Sequence, residues 1–155
     1  MSSLASFFAQ YGSLLGEGMA DTLGMLFVST AFSYVIGIFL GVVLCVTAPR
    51  GLHPMRTLNA VLGWVVNIGR SIPFIILLVS MFPVTRALVG TTTGVQGVIP
   101  PLVLSTTPFV ARMVEQSLAE VPRDAIEAAE ACGASIPRIV VSALLPEALP
   151  SIIRG

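Results

Sequence analysis

There is no lysine in this chain; all eight basic residues are arginine. A phosphate-binding loop of the Gly-Lys-Ser/Thr type is therefore excluded. So is a lysine Schiff base. Charge of either sign is scarce: only 10% of the residues are charged, against about a quarter in a soluble domain. The net charge is zero, and nothing in that balance points to nucleic acid as a partner. Histidine and cysteine are nearly missing too. His53 stands alone in a basic loop, and one imidazole without neighbouring ligands is a poor metal or catalytic site. Cys45 lies in an apolar run and Cys132 in a charged island, so neither a disulfide framework nor a metal set is expected. No bound cofactor is expected. Residues 1–16 carry no Arg, and no cleavage signal is evident. Residues 1–17 are read as a short extracytoplasmic segment.

What the chain has is apolar length. Hydrophobic residues make up 55% of it. The expected class is an all-α membrane protein with three transmembrane helices, a cytoplasmic loop and the start of a fourth helix. From Thr22 to Pro49 no residue is charged, and about 20 apolar residues suffice to cross a bilayer. The first span is placed at 22–47. Ser33, Gly37 and Gly41 recur in it every fourth residue. Small residues so spaced let another helix approach closely, although Gly is also simply tolerated in membrane helices.

A breaker-rich loop with Arg50 and Arg56 precedes the second span, placed at 58–83. Arg70 and Pro73 interrupt that span. Proline removes a backbone donor and should break or kink the helix. An arginine near the bilayer centre costs about 3 kcal/mol or more, so Arg70 either faces a wet cavity or interface or snorkels to a headgroup. Residues 84–94 read as a polar turn. The third span, 95–117, contains Pro100, Pro101 and Pro108, as bending sites or as static kinks. Arg112 and Glu115 lie three apart and can pair on one helix face. Arg50, Arg56, Arg123 and Arg138 fall on one side of this arrangement, Arg86, Glu17 and Asp21 on the other. Positive residues favour the cytoplasm, which puts the N-terminus outside and the loop 118–146 inside.

That loop is the most informative stretch. Pro122 suits the first position of a short helix, and Asp124 and Glu127 complement its positive end. Ala125, Ala128, Ala129 and Cys132 form a small-residue face. Gly133 suits a left-handed stop. Ser135 can cap a second helix that starts near Pro137 and is limited by Pro146. Such a helix is suited to docking in a groove of another protein; an ordinary solvated connector would show the same periodicity.

Glu127-Ala128-Ala129, three residues, Gly133, nine residues and then Ala143-Leu144-Leu145-Pro146 resembles the EAA loop of ABC-transporter permeases. The family has Ile where Ala143 stands. More narrowly, three stretches resemble the methionine-import permeases of bacteria. They are Arg70-Ser71-Ile72-Pro73-Phe74-Ile75-Ile76-Leu77-Leu78, Pro108-Phe109-Val110-Ala111-Arg112-Met113-Val114-Glu115, and Leu144-Leu145-Pro146-Glu147-Ala148-Leu149-Pro150. The resemblance covers the chain from about residue 18 onward. It implies a type I importer subunit of the bacterial cytoplasmic membrane that moves D- and L-methionine. The partners it implies are a second permease copy, a cytoplasmic ATPase that uses ATP-Mg, and an extracytoplasmic methionine-binding protein. Asp124, Glu127, Ala128, Ala129, Gly133 and Pro146 would couple the subunit to the ATPase. Arg70, Ser105, Thr106 and Thr107 are candidates for the pathway wall.

The family has about five membrane helices, so this sequence is expected to be truncated after the start of its fourth. A permease for another small amino acid, or a membrane anchor that grips a cytosolic protein without transporting, are the competing readings. A membrane enzyme is disfavoured, since Ser71, Thr106 and Thr107 have no nearby base.

Overall fold

The computed structural model describes residues 2–154, with side chains from residue 11 onward. Among the described residues there are helices and no strands. The helices are α1 (Ser2–Thr47), α2 (Arg56–Ser71), α3 (Phe74–Ser80), α4 (Phe82–Val89), α5 (Gly94–Ala119), α6 (Arg123–Ala131) and α7 (Ile136–Arg154). Within α7, Val140–Leu144 form a π turn. Three stretches are long and apolar enough to cross a membrane: Tyr11–Thr47, Gly94–Ala119 and Ile136–Arg154.

The centre of the fold is α5. Its Val110, Val114 and Leu118 are buried against Val140, Leu144, Ala148 and Ile152 of α7, and Ile38, Val42 and Cys45 of α1 pack on the same cluster. A second small cluster joins Leu44 of α1, Val66 of α2 and Ala111 of α5. Elsewhere large apolar side chains face outward, among them Phe27, Val35 and Phe39 of α1, Ile75 of α3 and Ile153 of α7. So much exposed apolar surface suits lipid or partner helices and not water.

The small-residue stripe of α1 is used inside the chain. A Cβ on Gly37 would stand 2.6 Å from Val110 Cγ1, and one on Gly41 2.7 Å from the Ala111 carbonyl oxygen. Ser33 is fully buried, and its hydroxyl donates to the Val103 carbonyl at 3.4 Å. The bare backbone at these positions lets α1 and α5 close together. The helix that approaches the stripe is α5 of the same chain.

Several helix limits differ from the sequence expectation. Helix α1 starts at Ser2 and not near residue 22, so residues 2–17 continue the first span as helix, and Met1 lies outside the described residues. At about 1.5 Å per residue, α1 is far longer than a hydrocarbon core of about 30 Å. The second span is a bent pair: α2 and α3 meet at 103°. Ile72 and Pro73 are extended there (ψ 121° and 133°), as the residue before a proline prefers. The expected polar turn 84–94 is largely helix, because Pro83 opens α4 and Gly90 (φ 78°) closes it, leaving only 90–93 between helices. Helix α5 keeps all three prolines inside it, with Pro101 and Pro108 buried. Pro146 marks no corner. It lies within the 19-residue run of α7, immediately after the π turn. Proline cannot donate to the carbonyl four residues back and its ring crowds that carbonyl. The widened turn, in which the Leu145 amide reaches the Val140 carbonyl, relieves this locally without stopping the helix.

Candidate coupling site

Helix α6 is short, and its ends are set by local chemistry. Pro122 is its N-cap, one position earlier than expected, with extended backbone (φ −58°, ψ 137°). Asp124 stands in the first turn, where a carboxylate complements the helix dipole. At the other end the Gly133 amide donates to the Glu130 carbonyl at 2.8 Å, and the Ala134 amide to the Ala129 carbonyl at 3.2 Å. This pair of bonds is a Schellman stop, and Gly133 adopts the left-handed conformation it requires (φ 73°). A Cβ on Gly133 would meet nothing within 4 Å. Glycine is therefore needed there for its backbone angle, the left-handed stop expected from the sequence, and not for space.

The inner face of α6 is formed by Ala125, Ile126 and Ala129, which are half-buried, with Ile126 packed on the α5–α7 core. Asp124, Glu127, Ala128 and Cys132 are exposed. The small-residue face is thus split, with Ala128 and Cys132 on the free side. Among the described residues no side-chain hydrogen bond or ion pair engages Asp124 or Glu127. Two contacts seat this region on the membrane body. The Arg123 guanidinium donates to the Arg50 carbonyl in the α1–α2 loop at 3.0 Å. The Ser151 hydroxyl of α7 donates to Glu120 Oε2, just past α5, at 2.8 Å. Beside α6 a cleft of about 530 Å³, bordered by Glu127 and Glu130, opens toward Cys45, Leu52, Leu118 and Leu144. The arrangement is an acidic-edged helix with a free outer face and a rigid stop, mounted on the ends of two membrane helices.

The pathway candidates are not brought together. Arg70 is exposed at the end of α2, directly before the bend. Ser105 and Thr106 are half-buried and Thr107 is buried. Successive helical residues point about 100° apart, so the three do not share a face. The Ser105 hydroxyl donates to the Leu102 carbonyl at 3.0 Å and that of Thr107 to the Val103 carbonyl at 2.7 Å. Both are spent on their own helix. The expected Arg112–Glu115 pair is present at 2.6 Å. Sequence reasoning missed its further partners, the Gly63 carbonyl at 3.2 Å and Asn67 Oδ1 at 3.1 Å. The available signal was Asn59, Gly63 and Asn67, polar or bare positions every fourth residue of α2.

An apolar helical body with three stretches long enough to cross a bilayer, and a short polar helix mounted on it, defines an integral membrane protein. Residues 33–155 match the family of binding-protein-dependent transport system inner membrane components, and the chain belongs to that family. It is similar to the D-methionine transport system permease protein MetI of Escherichia coli K12, with 50% identity over 92% of this chain and 65% of the relative. The Yersinia pestis protein of the same name is 49% identical over the same shares. The probable D-methionine permease MetI of Vibrio cholerae is 44% identical over 99% of this chain and 68% of the relative. The chain thus spans about two thirds of the length of these relatives. Among solved structures, it superposes on a chain of the MetNI methionine ABC transporter in an inward-facing conformation. The TM-score is 0.91 and the identity 48%, over 94% of this chain and 67% of that one.

Proposed function

We propose that the protein is the membrane-spanning permease subunit of an ABC importer that carries D- and L-methionine into the cell. The observation that carries this reading is α6. It is an acidic-edged helix, free on its outer face, closed by a left-handed glycine and mounted on α5 and α7. Its relatives named as D-methionine permeases support the substrate. The subunit pairs with a second copy of itself. A cytoplasmic ATPase grips α6 around Asp124 and Glu127, and a methionine-binding protein delivers substrate on the other side. The N-terminus lies outside the cytoplasmic membrane and α6 inside, as the arginine distribution supports. Nucleotide-driven closure of the ATPase pair moves the permease halves as rigid bodies.

The test is uptake of labelled methionine by vesicles that hold the complete gene product, its ATPase and its binding protein. ATP-dependent uptake that disappears when any one of the three is omitted is the expected result. ATP-dependent uptake of another amino acid in preference to methionine would overturn the substrate. Uptake of none, with all three components assembled, would overturn the transport reading.

A further inference from the structure

Helix α2 meets its neighbours through a small apolar contact, Val66 and Leu62 with Leu44 and Ala111, and through Gly69 lying close against Pro108. Gly63 and Val66 are its buried residues, while Val61, Trp64 and Val65 face outward. Polar bonds add to that attachment along one side of the helix. Asn59, Gly63 and Asn67 recur every fourth residue and so line up along the helix. At the near end, Asn59 Nδ2 donates to the Leu44 carbonyl at 2.8 Å and to Thr47 Oγ1 at 3.2 Å, both on α1. At the far end, Arg112 Nη2 of α5 donates to the Gly63 carbonyl at 3.2 Å and to Asn67 Oδ1 at 3.1 Å. A Cβ on Gly63 would stand 3.2 Å from that same nitrogen, a tight contact that the bare glycine avoids. Glu115 holds the other arm of the guanidinium at 2.6 Å. Four residues beyond Asn67, α2 ends and the chain turns by 103° into α3.

We propose that Arg112, Glu115, Gly63 and Asn67 form a clasp that fixes α2 on α5 and sets the direction in which α3 leaves the bend. In transport they act as positioning residues. Helix α5 runs almost directly into α6, with only residues 120–122 between them. A displacement of α6 therefore reaches α5, and the clasp passes it to the broken span. The planar fork of arginine suits this task, because it serves a carboxylate, a backbone carbonyl and an amide oxygen at once. A lysine offers a single point charge. The fork is also neutralised where it sits, which an unpaired cation among apolar helices would not be. This role rests on the transport reading above, but the geometry it predicts does not.

The experiment has two arms, both on the complete protein assembled with its ATPase and binding protein. Native cysteines are replaced by serine and spin labels are placed at the exposed positions Val79 on α3 and Leu104 on α5. Asn67→Leu and Arg112→Lys should broaden the label-to-label distance distribution, and Asn67→Asp, which gives Arg112 a carboxylate to hold, should keep it narrow. In the second arm, Asn67→Leu should lower methionine taken up per ATP hydrolysed by about fivefold, a change of the size that coupled contacts support. Its melting temperature and basal hydrolysis should stay at the parent values. An unchanged distance distribution in both Asn67→Leu and Arg112→Lys overturns the clasp. A fall in uptake that only tracks a fall in melting temperature overturns its part in transport. If the parent protein takes up no methionine, the transport reading fails, and the distance arm still decides the clasp.

Discussion

Gly41 of α1 lies directly against Val114 of α5: a Cβ built on the glycine would stand 2.7 Å from the valine Cβ. Real Cβ atoms do not approach so closely, and Val114 is fully buried in the central cluster, with no room to retreat. Gly41→Leu should therefore destabilise the protein by about 1–3 kcal/mol, the usual cost of overpacking. Gly24 sits on the same helix with nothing within 4 Å, so Gly24→Leu should be neutral. Thermal unfolding of the detergent-solubilised protein distinguishes the two. Equal effects would mean that α1 is not seated on α5 through this stripe.

Gly133 makes a different demand. Its surroundings are open and only its φ of 73° is restrictive. Substitution there should cost about 1–2 kcal/mol for an ordinary L-residue, and less for Asn, which visits the left-handed region readily. Gly133→Val should therefore loosen the stop of α6 and reduce uptake per ATP, while Gly133→Asn should stay close to the parent. Gly133→Asp, whose short polar side chain also visits that region, should likewise stay close to the parent. Parallel assays of uptake and ATP hydrolysis in vesicles check all three. Full coupling in Gly133→Val would remove the rigid stop from the mechanism.

These two glycines illustrate what the sequence made legible and what it did not. The left-handed stop, the stripe at Ser33, Gly37 and Gly41, and the Arg112–Glu115 pair are local, written in spacings of three and four residues. Their chemistry follows from helical periodicity alone. What was not legible has a common cause. Pro73 announces a break but not its angle, and the 103° bend depends on where α3 packs. Pro146 announces a break that a π turn then absorbs. Asn67 gains its meaning from Arg112, 45 positions away, and no local pattern links them. The run Ser105, Thr106 and Thr107 looked like a cluster only because it is contiguous, and a helix scatters contiguous residues around its axis.

The exposed acidic edge of α6 should matter for binding and not for folding. Glu127 is exposed and, among the described residues, has no side-chain partner in this chain. Glu127→Lys should leave the melting temperature of the isolated permease within about 0.5 kcal/mol of the parent in stability, as surface substitutions usually do. It should nevertheless reduce co-purification of the ATPase, because it reverses the charge on the exposed acidic edge of the helix. Co-purification at the parent level would shift the grip to Ala128 and the small residues beside it.

The orientation of α6 can be tested with the chain's own thiols. Cys132 caps α6 and is exposed, whereas Cys45 is half-buried near the end of α1. In a Cys45→Ser variant Cys132 is the sole remaining cysteine of this sequence. A charged, membrane-impermeant maleimide added to intact spheroplasts should leave it unlabelled. The same reagent should label it in inverted vesicles, where the cytoplasmic face points outward. Adding the ATPase first should slow that labelling, because Cys132 is exposed at the end of the short helix that also bears Asp124 and Glu127. Ready labelling in spheroplasts would place α6 on the outer surface, where no nucleotide-driven partner can reach it, and the coupling role would fall with the assigned topology.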